Sequence, residues 1–206
     1  MITQATTTDL NSITSLHLAE LGNTPNSQVG RWLITKLYTL ILGRKDAQII
    51  VAKNQQAIVG VVSFGYDLAG LTKAISRDLS MVEIIRIILA LLTKPGALIS
   101  QIQHRLFMYQ AYTYLPPKYL GILTICIDSA HQGHQIGSKL IAHVFASARA
   151  NHVPVFVDTY LSNRRAIRFY EKNGFHRVYQ GFGNVLLTKS VWNNYFFSLS
   201  RSWHSS

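Results

Sequence analysis

Residues 127–138, "IDSAHQGHQIGS", join an apolar run to an amphipathic one through Gly133 and Gly137. The first turn of a helix has unpaired backbone N–H groups, and its dipole favours negative charge. Glycines at such a junction remove Cβ atoms and let a phosphate approach the backbone. Ser138 can add a hydroxyl. The junction is not a P-loop, because no Gly-Lys-Ser/Thr follows the last glycine. It also lacks the three glycines of the dinucleotide fingerprint. What remains is a backbone cradle for an anion.

A second stretch follows after one more strand: "NRRAIRFYEKNGF", residues 163–175. Together the two stretches resemble the GNAT N-acetyltransferase family. Its pantetheine-pyrophosphate motif runs Arg/Gln-x-x-Gly-x-Gly/Ala, and its second motif Asn-x-x-Ala-x-x-x-Tyr-x-x-x-Gly-Phe. The second is complete here as Asn163, Ala166, Tyr170, Gly174 and Phe175. The first reads Gln132-Gly133-His134-Gln135-Ile136-Gly137, with Gln135 where the family has glycine. The opening "ITQATTTDL" is similar to the first strand and helix start of such domains, and the resemblance covers most of the chain outside 68–120.

The resemblance implies an α/β fold with a mixed, splayed sheet, in which acetyl-CoA lies between two central strands as co-substrate. Residues Gln132, Gly133, His134, Gln135, Ile136, Gly137 and Ser138 would wrap its pyrophosphate. A backbone N–H near Cys126 or Ile127 would polarise the thioester carbonyl. Asn163 would bond to the cofactor arm, and Tyr170 would protonate the departing thiolate. Arg165, with Arg164 and Arg168 at helical spacing, would help hold the 3′-phosphate. The reaction implied is direct transfer of an acetyl group to a primary amine in a ternary complex.

The amine must lose a proton, so a base is needed. Of the nine acids, most fall on helices or in the insertion. Asp128 and Asp158, at the ends of adjacent strands, remain, with Asp67 after a hairpin. Asp128 is the assignment made from sequence, with a helix N-terminal role as its rival. His131 and His134 stand too near the phosphates for a base. No second ligand is spaced to make either of them a metal site, so no metal is expected.

The 206 residues suit one domain, taken as 1–190 with a helical insertion at 68–120, followed by an aromatic-rich tail at 191–206. Apolar residues make up 48% and charged ones 14%, which argues against disorder. The net charge of +11 suits an anionic partner. Its 20 Lys and Arg are spread out, so a nucleic-acid groove is not expected. One cysteine, Cys126, lies mid-strand in "ILTICI" and reads as core. A lone cysteine and the lack of a signal-peptide pattern point to the cytoplasm.

These residues need a scaffold. A first strand precedes a helix capped by Thr8 or Asp9, with Leu10, Ile13, Leu16 and Leu18 inward. "VGRWLITKLYTLIL" is helical, and "AQIIVAKNQQAIVGVVSFGYD" is a hairpin turning at "KNQQ". The insertion, between the third and fourth strands, reads as helices broken at Pro95-Gly96 that pack over one face and shape a substrate pocket. Its segment 79–92 is expected to pack in the core, with membrane-surface contact as the lesser reading. Tyr109, Tyr112 and Tyr114 suggest an aromatic wall for a small amine such as an amino sugar. A protein amine, or a non-catalytic acyl-CoA-binding module, is the alternative. The oligomeric state is open.

Overall fold

A computed structural model describes residues 1–66, 70, 74 and 77–191. Asp67 and nearly all of the expected tail lie outside the described residues. Seven strands form one sheet in the order β1-β2-β3-β4-β5-β7-β6. They are β1 (Ile2–Gln4), β2 (Ala47–Asn54), β3 (Ala57–Gly65), β4 (Leu120–Ile127), β5 (Val155–Tyr160), β6 (His176–Gly181) and β7 (Asn184–Lys189). Only the β4–β5 pair is parallel. The sheet is therefore mixed, as the motif order requires.

Two helices cover one face of the sheet: α1 (Leu10–Leu21) and, after the short α2 (Pro25–Val29), α3 (Arg31–Leu42). Ile13, Ile34, Tyr38 and Ile41 bury against Ile49, Val51, Val61 and Cys126 of that face. Asp9 stands at the N-cap position of α1, as expected, but its carboxylate reaches back to Thr6 instead of capping α1. Thr6 and Asp9 exchange capping bonds around a 3-10 turn at Thr7–Asp9, and α1 starts only at Leu10. On the opposite face lie α6 (Ile136–Ala150) and α7 (Arg164–Lys172). Leu140, Ile141 and Val144 of α6 are fully buried there, each contributing about 1.5–3 kcal/mol.

The insertion divides into two unlike helices, α4 (Met81–Leu92) and α5 (Pro95–Ala111), with the expected break at Pro95, which opens α5. Phe107 and Ala111 of α5 are buried against Phe156 of β5 and Leu186 of β7, on the same face as α1 and α3. Without α5 the β5-β7-β6 half would have no cover on that face. Helix α4 buries no residue at all, so the expected core packing of 79–92 does not occur. It is held at its start by a Ser80–Glu83 capping box and by the Lys36–Glu83 ion pair at 2.9 Å. No helix among the described residues is long and apolar enough to cross a membrane.

Candidate active site

The central strands part company midway. β4 and β5 pair only at Leu120↔Val155, Gly121↔Phe156 and Ile122↔Val157. Beyond that, β4 continues beside β3 to Ile127, and β5 continues beside β7 to Tyr160. A register shift in the β3–β4 pairing, Ser63↔Thr124 then Phe64↔Ile122, makes Leu123 a bulge where the separation begins. Bulges bend a strand and raise its twist, which is what opens a wedge here. Behind the bulge, the Tyr38 hydroxyl bonds to Thr124 and to His17 Nδ1, the latter at 2.8 Å. This buried polar chain ties the bent strand to α1 and α3, and no motif in the sequence announced it.

The pairing pattern also decides which amides face the wedge. Asp128 N–H donates to Val59 O, and antiparallel bonds alternate along a strand. The amides of Cys126 and Thr124 therefore point to β3, while those of Ile127 and Ile125 point to the open edge. Of the two expected donors, Ile127 has the right direction and Cys126 the wrong one. The Cys126 side chain is packed in the core, and burial, with help from the Glu20 charge, pushes its thiol up to about 12. It cannot supply a thiolate near neutral pH.

At the end of β4 the chain makes a 3-10 turn, Ser129–His131, then reaches α6 through Gln132 to Gln135. Gln132 Nε2 donates to Ile127 O at 3.0 Å, fixing the loop to the strand. Gly133 has φ +86, and a Cβ added there would meet nothing within 4 Å, so its backbone is approachable from outside. Gln135 takes a left-handed conformation, φ +59, that glycine adopts without strain, and its exposed side chain makes no cap bond. Gly137 has a different role from the one expected. A Cβ there would fall 2.8 Å from the Phe169 ring, so this glycine lets α7 press against α6. The amides of Ile136, Gly137 and Ser138 lie in the first turn and have no intrahelical acceptor. His134 Nδ1 lies 3.3 Å from the carbonyl of His131.

Asn163 caps α7, its Oδ1 accepting from Ala166 N–H at 3.1 Å. Arg164, Arg165 and Arg168 are exposed along the outside of that helix. Tyr170 is buried among Phe169, Phe175 and Val157. Burial, and then the negative charge of Asp158, pushes its phenol well above the ordinary value. The same two causes raise Tyr160.

The two carboxylates expected at strand ends have opposite settings: Asp128 follows β4, whereas Asp158 lies inside β5, two residues before its end. Asp128 accepts from His131 Nδ1 at 2.8 Å and from Ala130 N–H at 3.1 Å, and these bonds hold it below the usual carboxylate range. It caps its own turn on the β3 side, beside Glu20, whose carboxylate accepts from Ser129 N–H. Asp158 stands on the side of β5 that carries Phe156, beneath α5, where His104 Nε2 donates to its Oδ2 at 2.9 Å. That hydrogen bond, against the opposing effect of burial, raises His104 above its ordinary pKa. His104 was missed from sequence, because nothing local marks a histidine 54 residues from its partner. The expected aromatic wall is also different. Tyr114 stacks on Tyr179 at 5.0 Å, and Tyr109 is 80% exposed on the far side of α5 from His104.

The family model for the GNAT acetyltransferase family matches residues 13–175. A search of curated proteins returned no match. Among solved structures, Arabidopsis thaliana NAA60 in complex with acetyl-CoA superposes with a TM-score of 0.58 at 13% identity, covering 92% of this chain and 97% of that one. The ribosomal-protein-alanine N-acetyltransferase of Brucella melitensis gives 0.56 at 16%, covering 92% and 99%. An aminoglycoside 6′-N-acetyltransferase from Acinetobacter haemolyticus gives 0.57 at 10%, covering 87% and 93%. At such identities the likeness is one of fold.

Proposed function

The chain belongs to the GNAT acetyltransferase family, and from that premise we propose that it moves the acetyl group of acetyl-CoA to the primary amine of a small molecule, such as an amino sugar, by direct transfer in the cytoplasm. The observation that carries this reading is the wedge between β4 and β5, with an approachable anion cradle at one end and a His–Asp pair at the other. Acetyl-CoA would supply an activated acyl group. The residues fit it: the open backbone of Gly133 and the first-turn amides of Ile136, Gly137 and Ser138 have no helical acceptor and can meet the pyrophosphate, the NH2 of Asn163 faces no cap duty, and Arg165 is exposed in the first turn of α7.

Ile127 N–H would stabilise the charge that develops on the thioester oxygen. The His104–Asp158 pair, rather than Asp128, is the base we assign, because Asp128 is committed to its turn and faces β3. As the amine nitrogen bonds to the acyl carbon, its proton passes to this pair. The carbon–sulfur bond breaks, and the Tyr170 O–H donates to the departing sulfur. Its raised pKa keeps the phenol protonated at the start of each turnover, and the phenolate formed as sulfur leaves recovers a proton from solvent or from the His104–Asp158 pair. The buried, undissociated Cys126 thiol favours direct transfer over an acetyl-cysteine route.

A compact acceptor is supported by the cover over the base. The His104 and Asp158 side chains are only 39% and 29% exposed beneath α5, which leaves room for an amino group on a small molecule. The test is release of free thiol from acetyl-CoA with a panel of amino sugars, other small amines and peptides. Activity with small amines is expected. Activity with peptides alone would move the acceptor to proteins, and no thiol release beside measurable CoA binding would make the chain a binding module.

A further inference from the structure

The outward faces of α4 and α5 form an apolar surface that none of the described residues covers. On α4, Met81, Val82, Ile85, Leu89 and Leu92 fall on one side at helical spacing and are 52–75% exposed. On α5, Ile99, Ile102 and Leu106 are about half exposed, and Tyr109 is 80% exposed. The two helices are adjacent, joined by Thr93-Lys94, so the stripes form one surface. Single exposed apolar residues need no explanation, but a contiguous patch marks an interaction site.

Charge identifies the occupant. Residues 81–111 contain Arg86, Lys94, Arg105 and a single carboxylate, Glu83. Glu83 is neutralised by Lys36 on the inner side of α4. The surface is thus aliphatic at its centre, without a free carboxylate, bordered by the exposed Arg105 and by the tyrosines Tyr109 and Tyr112, while Arg86 stacks over Trp32 at 5.1 Å and Lys94 donates to Gln28 O at 2.6 Å along the inner edge. A second copy of the chain would bring another net charge of +11 against this face. An aliphatic face with a tyrosine edge and no free carboxylate is the composition of a helix pair lying in an anionic bilayer surface. We infer that α4 and α5 lie on an anionic membrane surface, with the aliphatic side chains among the acyl chains, the tyrosines at headgroup level and Arg105 on lipid phosphates, the net charge of +11 drawing the chain to that surface. Because α5 also carries His104, docking would hold the acceptor side of the wedge close to the lipid surface.

The experiment is flotation of the full chain with vesicles of phosphatidylcholine alone or mixed with phosphatidylglycerol. Sedimentation velocity is run beside it. Binding to the mixed vesicles is expected, weakened by salt and reduced at least about tenfold in Ile85→Glu/Leu89→Glu. Ile102→Glu/Leu106→Glu, on the other helix, should behave alike. Since these side chains are already in solvent, both variants should keep their helical circular dichroism and CoA binding. The inference is overturned if the parent ignores mixed vesicles or if the variants float as it does. It is also overturned if the parent is a dimer that the same variants split without any lipid binding.

Discussion

Asp128 and Asp158 look equivalent on paper, each at the end of a neighbouring apolar run, yet the first follows β4 while the second lies inside β5, and the fold assigns them to different work. Asp128 finds its partners within three residues, at Ala130 and His131, and serves a turn. Asp158 finds its partner 54 residues earlier, on a helix that exists only because of the insertion. A carboxylate satisfied by its own turn has little to offer a substrate. One whose partner is a histidine brought in by tertiary packing can take a proton and hand it on.

The sharpest way to break this contrast is Asp158→Asn. It should lower kcat/KM by about 10²–10⁴-fold while leaving CoA affinity nearly unchanged. In the parent, the acid limb of the pH–rate profile should lie above about 6.5, because the Asp158 bond raises His104 and the pair acts as a base only once the proton is lost. In the variant the cause that raises His104 is gone and burial, which lowers it, remains. Residual activity should therefore show a limb displaced to lower pH. A profile that does not move would remove His104 from the pair's titration.

Tyr170→Phe comes next, with turnover falling about a hundredfold and CoA binding kept, as measured by calorimetry. Full activity across the pH range would mean the phenol is only a core ring. Gly137→Val tests the opposite end of the wedge. Its new side chain meets Phe169, so a loss of about 1–3 kcal/mol in urea unfolding is expected. If stability is unchanged and only CoA binding suffers, the missing Cβ at Gly137 serves the approach of the phosphate and not the Phe169 contact. The smallest effect is expected for Asp128→Asn, with turnover close to the parent's in the same assay. A collapse of activity there would return the base to the end of β4.

Much of this was legible in one dimension. The strand–glycine–helix junction, the capped helix from Asn163 to Gly174 and the break at Pro95 depend on contacts within a few residues, and local rules read such contacts well. The membership of Ile13, Leu140 and Val155 in the core follows from periodicity. Three features were not legible. The α4 stripe has the pattern of a packed helix, but the pattern reports amphipathicity and not what covers it. Gly133 and Gly137 look alike in the motif, and only the position of Phe169 separates an open backbone from a helix contact. The direction of the Ile127 amide depends on the β3 register, set by a bulge that no residue type signals.

By itself, then, the sequence determined the family, the order of elements and the residues able to cradle an anion, because each rests on short-range backbone chemistry. The tertiary structure alone decided that the central strands separate after Ile122 and Val157. It alone brought His104 to Asp158 and left the outward face of α4 without cover from any described residue. The physical reason is that these outcomes depend on the register of strand pairing and on the docking of a distant helix. Both are fixed by the sum of many weak contacts across the whole core, and no single segment encodes them.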